Sequence, residues 1–222
     1  MIKVMRKHAK YFYFLFFIVI LSFVFWGMGG VDDTGQSEVI AEVGEYKITT
    51  QEFWRLYDRT SRVYRKIYKD KFEEMMKEMN LKEKILDSMV NEHVLLISAQ
   101  EMGIQVGDQE LNDAITHETM FQRDGVFDKE IYVNRLRLNR LTPEAYESMI
   151  RQELIVKKLR RLIELSVDTS EIDSQTLVTD DEQIANMIKE QLINEKKEQA
   201  VKSFIEGAKQ NIKITIHKDI IS

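Results

Sequence analysis

From Val39 onward, apolar positions recur mostly three or four residues apart, and only short stretches near the two ends alternate with a period of two. That pattern describes a run of amphipathic helices with a little β structure at its extremities. Val39–Ile48 (VIAEVGEYKI) holds two β-like pieces around Gly44-Glu45 and predicts a strand or hairpin. Thr49-Thr50-Gln51-Glu52 is a capping box, in which a Thr hydroxyl and a Glu carboxylate three residues on each take a backbone N–H of the first turn. It opens a helix predicted over 50–79, with Phe53, Leu56, Tyr57, Val63, Tyr64, Ile67, Tyr68, Phe72, Met75, Met76 and Met79 on its apolar side. A second helix is predicted over 81–102, stopped by Gly103, and a short one over 108–117. Asp124-Gly125 marks a tight turn between Phe121 and Phe127, and Asp128 caps a helix over 129–139. Thr142-Pro143-Glu144 supplies a cap, a proline at the first helical position and an acid in the first turn, so a helix runs from there to about Leu165. Val167–Thr179 is polar and unpatterned and predicts a loop. Asp180 or Asp181 caps a last long helix ending near Gly207, after which Ile212, Ile214 and Ile216 alternate with Lys213, Thr215 and His217 as a half-buried terminal strand.

The first 38 residues follow a different pattern. Tyr11–Met28 (YFYFLFFIVILSFVFWGM) carries no charge and, as a helix, spans roughly 27 Å, close to the hydrocarbon thickness of a bilayer. Tyr11, Tyr13 and Trp26 lie near its ends, where amphipathic rings prefer the headgroup level. Lys3, Arg6, Lys7 and Lys10 precede it, and Asp32, Asp33 and Glu38 follow. The positive-inside rule therefore predicts a cytoplasmic tail (1–10), a transmembrane helix (11–28), a linker (29–38) and a body (39–222) on the far side of the membrane. The competing reading is a cleaved signal peptide, but the apolar run is longer than a signal core and no small-x-small site follows it cleanly.

Composition narrows the chemistry. The chain has one proline and no cysteine, which excludes disulfides, thiolate catalysis and Cys-based zinc sites. The first 30 residues hold four of the 32 basic residues and none of the 37 acidic ones, so the remainder carries a net charge of about −9. A body this acidic argues against nucleic acid as the main partner. No phosphate-binding glycine loop, nucleophile elbow or H-E-x-x-H motif is present, and His8, His93, His117 and His217 have no ligand spacing. No cofactor or metal is expected. One feature has a double meaning. The stripe Tyr64, Tyr68, Phe72, Met75, Met76 and Met79 packs a core in the plain reading. In the functional reading it lines an adaptable apolar groove for non-native chains, since Met and aromatic side chains repack around varied partners. Both can hold at opposite edges of one stripe.

The run FQRDGVFDKEIYVNRL (Phe121–Leu136), followed by LTPEAYESMIRQELIVKKL (Leu141–Leu159), resembles the corresponding stretch of the SurA/PpiD group of periplasmic folding factors, especially its membrane-anchored type. Phe121, Gln122, Asp124, Gly125, Phe127, Asp128, Tyr132, Tyr146, Arg151 and Leu154 carry the match. The resemblance implies a mainly α, SurA N-domain-like chaperone domain over 39–222. In it the C-terminal helix and strand (181–221) return to the N-terminal part and join its strand in a small sheet. Where the group inserts a parvulin-type prolyl isomerase domain of about a hundred residues, this chain has only Val167–Thr179, too short for a core of its own. The expectation is therefore a chaperone without isomerase activity, anchored in the bacterial cytoplasmic membrane with its body in the periplasm. Its expected partners are unfolded or newly translocated polypeptides, the lipid bilayer through 11–28 and the translocation machinery. Two other readings stay open, a dedicated subunit for one fixed partner and a prolyl isomerase.

Overall fold

The computed structural model describes residues 38–170 and 182–220. The chain divides into two units, 1–38 and 39–222. The tail, span and linker expected over 1–37, the cap at Asp180 or Asp181 and most of the expected loop lie outside the described residues. Among those described, no helix is long and apolar enough to cross a membrane.

Strands β1 (Val39–Val43) and β2 (Tyr46–Thr49) form the expected hairpin, with Gly44 at a φ of +58° in the tight turn. Thr49 then caps helix α1 (Thr50–Tyr68) with both halves of the capping box in place. The helix expected over 50–79 is not continuous. At Lys69 the backbone takes a φ of 44°, a 3-10 turn covers Lys69–Lys71, and a second helix, α2, runs over Phe72–Met79. No glycine or proline marks this break. It turns α2 so that it touches both α1 and the next helix, and it buries Phe72 beneath the Arg65 guanidinium, 4.8 Å from the ring centroid.

Helix α3 (Leu81–Glu101) is the axis of the fold. Val94, Leu95 and Leu96 are consecutive and all buried, which requires neighbours on every side. The β1–β2 hairpin, α1 and the helices over Pro143–Leu165 and Glu182–Lys209 supply them. Gly103, at a φ of +72°, ends α3 in a Schellman turn, its N–H bonded to Gln100 and that of Ile104 to Ala99. Helix α4 (Asp108–Thr116) follows, then a two-residue hairpin of β3 (Gln122–Arg123) and β4 (Val126–Phe127) whose turn residues Asp124 and Gly125 both have positive φ. Asp128 caps α5 (Lys129–Leu138) and Thr142 caps α6 (Pro143–Leu165).

Helix α7 (Glu182–Lys209) lies against α3 and α6, with Val201 and Ile205 buried and Phe204 and Ala208 leaning on the core. It ends at Lys209, two residues past Gly207. Strand β5, shorter than expected at Ile214–Ile216, pairs antiparallel with β1, so the sheet order is β2-β1-β5 and the two ends of the unit share a sheet.

Candidate functional site

The long apolar stripe is divided by the break at Lys69. Tyr64 and Tyr68 stack on one another at the end of α1, 5.8 Å between centroids and 14° between planes, and both are half-buried. Phe72 is only 7% exposed, which removes it from the surface set that the sequence suggested for client contact. Met75, Met76 and Met79 are half-buried, and Tyr64 and Met76 pack against the main core. Core packing therefore accounts for much of this stripe. The most open apolar groups of α1 are Val63 and Ile67, one turn apart and 54% and 63% exposed. They were part of the helical pattern, yet nothing in the pattern told which edge of the stripe would face water.

A second apolar surface went unread in the sequence. Arg160 and Glu164, near the end of α6, line the same groove as Asn194, Lys197 and Glu198 of α7. Helix α7 begins a dozen residues before Asn194, so its first turns run roughly 15 Å past the end of α6. Ile184, Met187 and Ile188 on those turns are exposed, Met187 by 70%, and Leu162 and Leu165 are exposed on the last turn of α6. Only the C-terminal part of α7 is thus buried in the way the expectation of a packed last helix required. The groove itself, about 740 Å³ between α3, α6 and α7, is polar, and in its wall the buried Oδ1 of Asn91 has no partner.

Among the residues that carried the resemblance, Phe121, Phe127, Tyr132 and Tyr146 pack into an aromatic corner. Phe121 is fully buried, with Tyr132 and Tyr146 edge-on to it at 5.0 and 5.5 Å, and Phe127 leans on Tyr132 at 5.8 Å. Burial pushes both tyrosine phenols above their usual value, and acidic neighbours add to the rise. Asp128 receives the N–H groups of Glu130 and Ile131 and pairs with Arg123 at 3.1 Å, which fixes the Asp124-Gly125 hairpin to α5. From α6, Arg151 donates to Val106 O (2.6 Å) and Asp108 (2.9 Å), and Lys158 donates to Gln105 O (2.8 Å) and Glu110 (2.6 Å). These bonds pin the loop that leads from α3 into α4. His93 is half-buried and stacks on Tyr46 at 5.1 Å with no partner for Nδ1, and burial lowers its pKa despite the nearby Glu92 and Glu52. Among the described residues no group of three His, Asp or Glu side chains is placed to hold a metal ion.

A hairpin feeding a capped helix, a central buried helix and an aromatic corner locked by Asp128 define the class. The chain belongs to the family of SurA-like N-terminal domains, whose model matches residues 1–160. Among its relatives are the periplasmic chaperone PpiD of Haemophilus ducreyi, 23% identical over 70% of this chain, and that of Escherichia coli K12, 24% identical over 65%. The chaperone SurA of Pectobacterium atrosepticum is 31% identical over 36% of the chain. The matched stretch is 26% of the first relative's length, 24% of the second's and 18% of the third's, so this chain spans about a quarter or less of each. Residues 161–222 lie beyond the family match, although α7 and β5 complete the core and the sheet.

Proposed function

We propose that this protein is a membrane-anchored periplasmic chaperone that holds unfolded or newly translocated polypeptides by reversible apolar contact, without nucleotide. The carrying observation is the exposure of large apolar side chains at two helix ends, Ile184, Met187 and Ile188 at the start of α7 and Leu162 and Leu165 at the end of α6. Folding gains nothing from large apolar side chains left in water, and grouped exposure of this kind on a helix end suits an interaction site. Val63 and Ile67 of α1, with the half-buried Tyr64 and Tyr68 of α1 and Met75, Met76 and Met79 of α2, offer a second, softer contact. Membership in a family with periplasmic chaperones supports the reading. Tyr11–Met28 would hold the module at the cytoplasmic membrane with 1–10 in the cytoplasm, which raises its effective concentration near emerging chains and the translocation machinery. The short Val167–Thr179 connection leaves no room for a parvulin insert at that point, so prolyl isomerisation is not part of the proposal.

The apolar groups sit on helix ends, and the groove between α3, α6 and α7 is polar. That arrangement favours a second reading, a dedicated subunit for one fixed partner. The full chain in lipid nanodiscs separates the two. As a chaperone it delays aggregation of reduced lysozyme, and Leu165→Asp with Met187→Asp abolishes the delay without altering the melting temperature. Crosslinking from position 187 in intact cells then yields many polypeptides. A single crosslinked partner together with no effect on lysozyme would replace the chaperone by the dedicated subunit.

A further inference from the structure

The sheet that joins the two ends of the domain has an open side. In the order β2-β1-β5, β5 is an edge strand, and among the described residues nothing pairs with its outer side. Hydrogen-bond parity fixes which groups lie there. The Gly44 N–H donates to the Lys213 carbonyl at 2.9 Å, and the His217 N–H donates to the Ile40 carbonyl at 2.8 Å. Between these two, Glu42 faces Thr215, Val43 faces Ile214 and Ala41 faces Ile216. Bonded and non-bonded pairs alternate in an antiparallel ladder. Lys213, Thr215 and His217 therefore bond to β1, and Ile214 and Ile216 turn their N–H and C=O groups outward.

A pocket of about 370 Å³ lies beside the start of this strand, between the C-terminal turns of α3 and α7. Met102, Phe204, Ala208 and Ile212 give it a mainly apolar wall, and Met102 is 59% exposed. Ile212 lies two residues before β5, so the pocket adjoins the edge. A three-residue edge is short, as blunted edges are.

We infer that β5 is a strand-addition site: an extended segment of a non-native polypeptide pairs with the backbone of Ile214 and Ile216 and sets one apolar side chain in the pocket walled by Phe204, Ala208 and Ile212. The chemistry of the edge selects this occupant. Donor and acceptor repeating every second residue, roughly 7 Å apart, complement an extended peptide backbone. Backbone pairing is blind to sequence, and the pocket adds a preference for an apolar residue. This inference rests on the polypeptide-binding reading and names how the chain is held.

The test uses the full chain in nanodiscs and a fluorescein-labelled peptide of alternating valine and threonine. Ile216→Pro removes an outward N–H and spares the bonds to β1, whereas Ile216→Ala trims the side chain and keeps the N–H. Fluorescence anisotropy is expected to show binding to the unaltered protein. Ile216→Pro should weaken it about tenfold, the order of one or two backbone hydrogen bonds, and full N-methylation of the peptide should weaken it at least as much. Ile216→Ala should cost much less. Amide exchange in the unaltered protein should slow at Ile214 and Ile216 on binding, a readout that does not depend on any variant folding. Equal affinity for the plain and N-methylated peptides, with no slowing at these amides, would overturn the inference. If the protein still delayed lysozyme aggregation in that case, the chaperone reading would survive and only the edge would be lost. If it neither bound the peptide nor delayed aggregation, both would fall.

Discussion

Removing residues from Asp180 onward tests the closed arrangement of the domain directly. The deletion takes away α7 and β5. Val201 and Ile205 are each 6% exposed in the core, and Phe204, Ile212, Ile214 and Ile216 are partly buried against it. At about 1.5–3 kcal/mol for each large apolar side chain fully buried, Val201 and Ile205 contribute roughly 3–6 kcal/mol. The four partly buried residues, counted at about half that value, contribute a similar amount. The sum, roughly 6–12 kcal/mol, is an upper estimate because unfolded chains already bury some surface, yet it matches the whole stability of a typical domain at about 5–15 kcal/mol. The deletion also exposes the side of β1 that β5 covers, so the edge carrying Ile40, Glu42 and Gly44 loses its partners. A chain ending at Thr179 should therefore show no cooperative thermal transition by near-ultraviolet circular dichroism and should bind a hydrophobic dye. Adding a peptide covering 182–222 should restore part of the signal. A truncated chain that melts cooperatively at the full-length temperature would refute the argument and make α7 a dispensable appendage.

Other consequences are more local. Phe121→Ala empties a fully buried site that holds Tyr132 and Tyr146 edge-on and should cost about 3–5 kcal/mol in denaturant unfolding, whereas Phe121→Leu should cost much less. Gly44→Ala forces a side chain into a φ of +58° with its Cβ 3.1 Å from Ile97, and should lower stability by roughly 1–2 kcal/mol with the hairpin amides exchanging faster. His93 has a folded-state pKa below its ordinary 6.5 because burial disfavours the charged ring, so its contribution is complete above that value and is lost as pH falls through the folded pKa. Unfolding midpoints measured at a series of pH values should decline below about 6.5, and His93→Asn should flatten that decline.

Local chemistry was legible in the sequence wherever a single residue type does a single job. The capping box at Thr49, the positive-φ stop at Gly103, the Asp124-Gly125 turn, the Asp128 cap and the Thr142-Pro143 start each appear where the residues place them. The family was legible too, because the aromatic corner of Phe121, Tyr132 and Tyr146 requires particular side chains at particular spacings. The pairing of β5 with β1 was anticipated from the resemblance, but its register and its open outer edge belong to the tertiary structure. The break at Lys69 was invisible, since a lysine carries no signal for a φ of 44°. Packing against α1 and α3 outweighs the local preference for continuing the helix. The exposed surface of α7 was invisible for a related reason. Met187 lies on the same helical face as the buried Val201 and Ile205, fourteen and eighteen residues further on. Periodicity reports that a helix has an apolar face, whereas exposure depends on where its neighbour ends, and α6 ends at Leu165.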